Sequence, residues 1–332
     1  MAIIPKRLYA IPTLSSFICY VYMETVLITG GTGLIGKALT KQLVCRGYTV
    51  IILTRNKKIA ENNQHILYAE WNVASGTIDG DAVARADYII HLAGANVAEK
   101  RWTEKRKKEI VDSRVQSGRL LVKALTEIPN HIQAVVSASA IGWYGPDPQI
   151  PNSTPFVETD PSATDFLGTT SKKWEAAIEP VTELGKRLVV LRTGIVLSNE
   201  GGAYAEFKKS LNFGIAPVLG NGKQMISWIH LNDLVRIYIE AIENKKWQGT
   251  YNAVAPNPVS NRSLITEMAK QRGKLYVRGP VPAVVLKTVL GEMSVEVLKS
   301  ATVSSERLKA TGFQCMFQHI GTAVYNLQKK VP

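Results

Sequence analysis

Short apolar runs recur at regular intervals through the first two hundred residues of the chain. Five of them have the composition of strands that are buried on both faces: Val26–Thr29, Val50–Leu53, Tyr88–Leu92, Ala134–Ser137 and Leu188–Arg192. Stretches with helical periodicity lie between them: Leu34–Arg46, Thr103–Thr126 and Thr169–Leu184. Strands that alternate with helices form parallel sheets that helices cover on both sides. The pattern therefore predicts the α/β class, with a doubly wound parallel sheet of the Rossmann type.

The alternation weakens after Arg192, where the elements become shorter and more varied. A loop, a strand and three helices are indicated: Gly201-Gly202, Met225–Ile229, Asn232–Glu243, Arg262–Gln271 and Val281–Lys299. We expect a Rossmann domain over residues 24–200, with the sheet completed by about residue 255. A smaller mixed α/β subdomain is expected over residues 201–332, packed on the carboxyl edge of the sheet where a substrate would enter.

The N-terminal segment superficially resembles a signal peptide, because Lys6 and Arg7 precede an apolar stretch from Leu8 to Met23. Pro12 interrupts this stretch, no small-residue cleavage motif follows it, and it is short for a bilayer span. Three interpretations remain open: an upstream start or loose leader, a targeting or anchoring segment, and an extra packed strand. We expect residues 1–23 to be a loose leader or a non-native start that the fold does not need.

Composition narrows the class of protein. Hydrophobic residues make up 45% and charged residues 20% of the 332 positions, which excludes wholesale disorder. The three cysteines, Cys19, Cys45 and Cys315, lie far apart without CxxC spacing, so we expect no disulfide framework and a cytoplasmic protein. Five histidines are scattered without metal-ligand spacing, and we expect no metal site. The net charge of +13 favours an anionic partner.

A glycine-rich loop follows the first strand pattern and opens the first helix pattern. It reads Thr29-Gly30-Gly31-Thr32-Gly33-Leu34-Ile35-Gly36, with glycines at the GxxGxxG spacing. Such a loop makes a tight turn, lets the backbone approach a diphosphate, and directs the N–H groups of the helix N-terminus at the phosphates. We expect six residues of the loop to contact a dinucleotide: Gly30, Thr32, Gly33, Leu34, Ile35 and Gly36.

The end of the second strand selects between the two nicotinamide cofactors. An acidic residue there binds the ribose 2′-hydroxyl of NAD, whereas an arginine accommodates the 2′-phosphate of NADP. This chain has Thr54-Arg55-Asn56-Lys57-Lys58 at that place, and its first acid is Glu61. The alternative is a solvated basic turn. The sequence favours NADP.

Several longer motifs point to one family. They are the TGGTGLIG loop, His91–Gly94, Lys100–Trp102, Leu191–Leu197, Trp228–His230, Tyr251–Pro258, Gly291–Met293 and Arg307–Phe313. Together they make the chain, from about Thr25 to Ala323, similar to the epimerase-like group of atypical extended short-chain dehydrogenases/reductases. Members of this group resemble nucleoside-diphosphate-sugar epimerases and carry a C-terminal domain of unknown function.

The resemblance implies further cofactor contacts. Thr54 and Arg55 would lie at the adenosine 2′-phosphate. Leu92, Ala93 and Gly94 would run beneath the dinucleotide, and Glu109 and Arg114 would face it from the following helix. Val196 would line the nicotinamide side. A surface helix charge is the alternative for Arg114.

The usual catalytic tyrosine of short-chain dehydrogenases, four residues before a lysine, is missing. One alignment puts Leu167 and Ser171 at the two positions, and the other puts Gly168 and Lys172 there. The remaining candidates follow the strand pattern at Ala134–Ser137. Ser139 is expected to be catalytic, with a one-residue ambiguity in the alignment, and Tyr144 is a weaker candidate for proton donation. The alternatives are a hydroxyl bonded to backbone for Ser139 and structural packing for Tyr144.

These observations predict an NADP(H)-binding, short-chain-dehydrogenase-like protein. We expect an oxidoreductase or a sugar-nucleotide-epimerase-like enzyme that acts on a small, anionic substrate. The alternative is a non-catalytic NADP-binding sensor or scaffold. The basic stretch at residues 99–109 has mixed charges, so we expect no nucleic-acid partner. No membrane partner is expected either, no GxSxG motif of a hydrolase is present, and the sequence does not determine the oligomeric state.

Overall fold

The computed structural model describes residues 9–11, 19–21, 23–55 and 63–329. Its strands are β1 Tyr9–Ile11, β2 Cys19–Val21, β3 Thr25–Thr29, β4 Thr49–Thr54, β5 Ile66–Asn72, β6 Thr77–Ile78, β7 Tyr88–His91, β8 Ala134–Ala140, β9 Arg187–Thr193, β10 Ile195–Leu197, β11 Ile215–Leu219, β12 Met225–Ile226, β13 Trp228–His230, β14 Gly249–Ala253, β15 Val259–Ser260 and β16 Val277–Val281. Its helices are α1 Leu34–Cys45, α2 Gly80–Arg85, α3 Glu104–Glu127, α4 Phe166–Ile178, α5 Gly202–Asn212, α6 Leu231–Glu243, α7 Asn261–Gln271, α8 Ala283–Leu290, α9 Ser294–Leu298, α10 Glu306–Ala310 and α11 Ile320–Gln328.

The central sheet has eight strands in the order β14-β9-β8-β7-β3-β4-β5-β6. All neighbours are parallel except β5 and β6. The chain winds outward from β3 in both directions, so β3 and β7 flank a switch point at which the strand order reverses. The prediction of a doubly wound parallel sheet is confirmed. Ligands of open α/β sheets bind beyond the carboxyl ends of the strands at such a point.

Helices cover both faces of this sheet because its strands are apolar on both faces. Along β3, the side chains of Val26 and Ile28 join one buried cluster with Leu39 of α1 and residues of α6. Leu27 joins the opposite cluster with residues of α3. Successive side chains of a strand point to opposite faces, so a continuous apolar run such as Val26-Leu27-Ile28 needs both layers of helices. This explains why these strands were recognisable as short, uninterrupted apolar runs.

The C-terminal part has a third core, formed mainly by α5, β11, α7 and α11. Its strands form three separate pairs, of which β10–β13 and β11–β16 are parallel and β12–β15 is antiparallel. A smaller mixed α/β region therefore follows the sheet, as predicted. The predicted single helix at Val281–Lys299 is wrong, because α8 ends at Leu290. The next residue, Gly291, has a φ of +62°, which favours a residue without a side chain. The domain boundaries themselves stay a prediction.

The N-terminal strands β1 and β2 pair with each other in antiparallel register. Most of the predicted leader lies outside the described residues, so its role stays a prediction. Among the residues that are described, no helix is long and apolar enough to cross a bilayer.

Candidate functional site

The glycine loop lies against the carboxyl end of β7. Gly30 has a φ of +70°, and a Cβ atom there would lie 3.0 Å from the backbone carbonyl of Leu92. A Cβ atom on Gly36 would lie 2.5 Å from the carbonyl oxygen of Gly30. Both positions therefore exclude any side chain. The loop and the segment after β7 thus lie against each other at the switch point, where open α/β sheets bind their ligands. We call this place the crevice and the two segments its walls.

The first turn of α1 lies at this crevice, and no side chain among the described residues caps it. Gly33 is its N-cap residue, and the first turn contains no acidic residue. Thr32 and Gly33 are exposed, and Leu34 and Ile35 are half-buried. The free N–H groups and the positive end of the helix dipole make this a place where a phosphate would bind favourably.

A buried hydroxyl joins the two walls. The Thr29 Oγ1 atom accepts hydrogen bonds from the N–H groups of Leu92 at 3.0 Å and Ala93 at 3.1 Å. It also lies 2.8 Å from Nδ1 of His91. A hydroxyl that already accepts two hydrogen bonds donates its proton to the third partner. Nδ1 of His91 is therefore the acceptor, and its Nε2–H donates to Ser117 Oγ at 3.3 Å.

This arrangement needs a neutral imidazole. Burial lowers the pKa of His91 to about 3, and the nearby Arg114 cation acts in the same direction. A protonated His91 would present a second N–H to Thr29 and leave that hydroxyl with three donors and no acceptor. The crevice is thus held by a histidine that stays uncharged throughout the physiological range.

Arg114 lies beside the crevice without a carboxylate partner among the described residues. Its Nη1 donates to the carbonyl oxygens of Ala95 and Ile110, each at 3.0 Å. Its guanidinium carbon lies 4.8 Å from the ring centroid of Trp174 and would be 3.1 Å from a Cβ atom on Gly94. Burial, with repulsion from Arg106, lowers the pKa of Arg114 to about 10, which leaves it charged at neutral pH. A cation held in this way favours an anionic ligand.

The other predicted cofactor residues are distributed unevenly around the crevice. Val196 of β10 is half-buried. Its carbonyl oxygen and the Leu34 side chain both lie close to the Gly201-Gly202 turn, so the structure brings Val196 and Leu34 to the same place. Glu109 is largely exposed and pairs with Arg106 at 2.8 Å, which lowers the pKa of the Glu109 carboxyl group. β4 ends at Thr54, and Arg55, which follows it, is exposed. Asn56, Lys57, Lys58 and Glu61 lie outside the described residues.

Ser139 and Tyr144 belong to one buried polar cluster. Ser139 Oγ donates to Glu175 Oε1 at 2.6 Å, and Arg192 binds both oxygens of that carboxylate at 2.9 and 3.0 Å. The Tyr144 hydroxyl accepts from Arg192 at 3.1 Å and donates to Asn252 Oδ1 at 2.7 Å. Ser139 lies on β8, and Tyr144 follows the end of that strand. Glu175 lies on α4, Arg192 on β9 and Asn252 on β14.

The cluster is nearly closed to solvent. Ser139 and Arg192 are each 3% exposed, and Tyr144 is completely buried. The Arg192 guanidinium also lies 3.6 Å from the ring centroid of Trp143. Burial raises the pKa of Tyr144 to about 12, although Arg192 opposes the shift. The catalytic roles of Ser139 and Tyr144 stay predictions, and both hydroxyls are already hydrogen-bonded to protein groups.

The sequence did not single out Glu175, Arg192 or Asn252 as functional. Arg192 carried one usable signal, because a charged residue at the end of a strand buried on both faces needs a buried partner. The two possible alignments place Leu167 or Gly168 at the position that the catalytic tyrosine usually occupies. The Leu167 side chain lies against Gly142. Within the described ranges, no three His, Cys, Asp or Glu side chains come together as metal ligands would.

His91 predicts a specific dependence of stability on pH. The folded protein keeps the imidazole neutral down to about pH 3, whereas the unfolded chain binds a proton below about pH 6.5. Acidification therefore favours the unfolded state through this window. Between pH 7.5 and 5, this group alone lowers the free energy of unfolding by about 2 kcal/mol.

We expect His91→Asn, whose amide oxygen replaces Nδ1 as acceptor, to remove that part of the acid sensitivity. Urea unfolding at pH 7.5 and 5 measures it. His65→Asn is the matched control and should keep the wild-type difference. Identical pH dependence in wild type and His91→Asn would contradict the prediction.

Comparison with known proteins agrees with this geometry. The profile of the NAD dependent epimerase/dehydratase family matches residues 26–170, and that of a domain of unknown function, DUF1731, matches residues 281–327. An epimerase family protein of Staphylococcus aureus strain MRSA252 is 34% identical over 308 residues, which cover 93% of this chain and 100% of that protein. A Staphylococcus saprophyticus epimerase family protein is 32% identical over 305 residues, covering 92% of this chain and 99% of its own.

Solved structures give the same assignment. The human epimerase family protein SDR39U1, crystallised with NADPH, is 30% identical with a TM-score of 0.81, and the match covers 92% of this chain and 100% of the human one. A nucleoside-diphosphate sugar epimerase from Corynebacterium glutamicum is 31% identical with a TM-score of 0.72, covering 92% of this chain and 58% of that chain. The chain belongs to the epimerase family, with an NAD dependent epimerase/dehydratase region followed by the DUF1731 domain.

Proposed function

We propose that this chain binds NADP(H) in the switch-point crevice and uses it as an oxidoreductase or a sugar-nucleotide-epimerase-like enzyme on a small, anionic substrate. The observation that carries the proposal is the contact between Gly30 and the Leu92 backbone. This contact places the uncapped start of α1 beside the carboxyl end of β7, at the switch point of the sheet. A dinucleotide diphosphate is the ligand that such a loop accommodates.

The residues present fit this cofactor. The first turn of α1 would hold the diphosphate, and Arg114 would add a positive charge that no acid of the described chain neutralises. Arg55, exposed directly after β4, would bind the 2′-phosphate. The human relative of known structure was crystallised with NADPH, which supports NADP(H) over NAD(H). When bound, the nicotinamide supplies or accepts a hydride.

The buried cluster would orient the substrate. Because Ser139 donates its proton to Glu175, the Ser139 oxygen has only lone pairs to offer a substrate. It would therefore accept a hydrogen bond from a substrate hydroxyl rather than give a proton. Tyr144 stays protonated at neutral pH and donates to Asn252, so its proton is held within the protein.

The hydroxyl groups of Ser139 and Tyr144 are already hydrogen-bonded to protein groups, and this favours a second function. If neither hydroxyl reaches a substrate, the chain is a non-catalytic NADP-binding sensor or scaffold. The missing tyrosine supports this alternative. Turnover of NADPH with a pool of metabolites separates the two functions, because a sensor binds the cofactor and consumes none.

The cofactor assignment predicts that Arg55→Ala weakens NADP binding selectively. Charge-assisted hydrogen bonds to the 2′-phosphate contribute about 1.5–3 kcal/mol each, which corresponds to a roughly tenfold to hundredfold loss of affinity. NAD affinity should stay nearly unchanged. Calorimetry of both cofactors on wild type and variant measures the difference. Arg119→Ala, an exposed arginine in the middle of α3, is the control with the same loss of charge. Equal losses for NADP and NAD, or a wild type that prefers NAD, would disprove the assignment.

The catalytic proposal predicts that Ser139→Ala lowers turnover strongly with little change in NADP affinity. The serine would contact the substrate, whereas cofactor affinity comes mainly from the phosphates. Ser137→Ala is the matched control, because among the described residues the Ser137 hydroxyl bonds only the carbonyl oxygen of Ala138 on the same strand. Rates are compared on any metabolite that supports NADPH consumption. An unchanged rate in Ser139→Ala would remove this residue from the mechanism.

A further inference from the structure

Four large apolar side chains stand exposed side by side in the C-terminal region. Phe213 is 84%, Ile215 50%, Leu275 99% and Val277 75% exposed. Ile215 and Val277 are direct partners in the β11–β16 pair. Phe213 and Leu275 lie two positions before them, in the turns that lead into the two strands. We call these four residues the apolar ridge.

Hydrogen bonds join the two segments that carry the ridge. The Val277 N–H donates to the carbonyl oxygen of Gly214 at 2.9 Å, and Arg272 Nη2 donates to that of Asn212 at 3.2 Å. Phe213 and Leu275 thus sit on adjoining turns that the backbone holds in place. Contiguous apolar side chains with this degree of exposure mark an interaction surface in a soluble protein.

A cationic cavity of about 290 Å³ opens beside the ridge, between α5, α7 and α11. Lys208, Arg272 and Lys329 supply three positive charges to its wall, and no carboxylate lines it. Tyr204, also in the wall, is completely buried, and Asn212, Gln271 and Gln328 add amide groups. The wall of the cavity is therefore polar and positively charged.

The surroundings of the ridge are basic as well. The segments 208–215 and 270–278 contain six cations and no acid: Lys208, Lys209, Lys270, Arg272, Lys274 and Arg278. Of the nearby carboxylates, Glu206 pairs with Lys209, and Glu267 accepts a hydrogen bond from Gln271. Within the described chain, Lys274 and Arg278 form no ion pair, so their charges are available to an outside partner.

We propose that this face docks on a bilayer that contains anionic lipids. Phe213 and Leu275 enter the interface between headgroups and acyl chains, the flanking cations lie among the lipid phosphates, and one phosphate occupies the cavity. Apolar side chains that project from a basic surface have this complementarity to a membrane. This proposal departs from the expectation of no membrane partner, and peripheral docking does not require a spanning segment.

A second copy of the chain fits this face less well. A symmetric contact through the ridge would bring the same basic segments of both copies together, and like charges juxtaposed across an interface oppose association. A bilayer with anionic lipids presents the opposite charge. The docking proposal is also independent of cofactor binding, since it uses neither the crevice nor the buried cluster.

Vesicle sedimentation tests the proposal on the full chain. Vesicles of phosphatidylcholine with phosphatidylglycerol should sediment the protein at low salt, and vesicles of phosphatidylcholine alone should sediment it far less. The double variant Phe213→Ser/Leu275→Ser should reduce binding at least about tenfold. Met316→Ser, which removes an apolar side chain that is 62% exposed outside this face, is the control and should bind as wild type.

The charged part of the surface is tested separately. Lys274→Gln/Arg278→Gln keeps the ridge and should weaken binding by about fivefold for each charge removed, with a reduced dependence on salt. Circular dichroism and thermal unfolding verify that each variant is folded. If a ridge variant does not fold, the charge variant alone decides the outcome.

Three results would overturn membrane docking. The first is no difference between the two vesicle types. The second is a dimer in sedimentation equilibrium, without vesicles, that the ridge variant abolishes, which would make the ridge a contact between copies. The third is calorimetric binding of inorganic phosphate that Lys208→Gln removes, in a protein that leaves the vesicles unbound. That result would assign the cavity to a free anion.

Discussion

The hydroxyl of Thr29 is the contact on which the crevice depends. It lies at the end of β3, is completely buried, and binds the backbone on the other side of the switch point at Leu92 and Ala93. These hydrogen bonds hold the β7 segment close enough to Gly30 that no side chain fits between them. The shape of the crevice thus follows from one short polar side chain at the end of an apolar strand. A buried hydroxyl is stable there only because every hydrogen-bonding position around it is occupied.

A second constraint joins α4 to three strands of the central sheet. The Glu175 carboxylate and the Arg192 guanidinium bind in a bidentate fashion, and Tyr144 extends the contact to Asn252 on β14. Buried ion pairs contribute less to stability than their attraction suggests, because both charges lose their hydration. Their geometric demands are strict, however, and loss of one partner leaves a buried charge. The pair therefore determines where α4, β8 and β9 lie relative to one another.

Asp147 places the C-terminal segment against this cluster. Its carboxylate accepts hydrogen bonds from the hydroxyls of Ser300 and Thr302 at 2.7 and 2.8 Å and from the Thr302 N–H at 2.9 Å. Lys299 adds a hydrogen bond to the carbonyl oxygen of Tyr144 at 3.3 Å. The region after the sheet is thereby attached close to the ends of β8 and β9. The face of this region that carries the apolar ridge is formed by other elements, chiefly β11 and β16.

The sequence alone determined the central sheet and the glycine-rich loop, because both depend on patterns of residues that are close together in the chain. Runs such as Val26-Leu27-Ile28 are apolar on both faces of the strand, and the glycines of the loop occur at a spacing that only a tight turn next to a helix requires. The half-buried strand β5 was missed, because its apolar and polar residues alternate less clearly. Only the tertiary structure brought Ser139 to Glu175 and Tyr144 to Asn252, pairs that are 36 and 108 positions apart. Their hydrogen bonds and the pKa of Tyr144 depend on burial and on neighbours from distant segments, and no local pattern records which segments will meet.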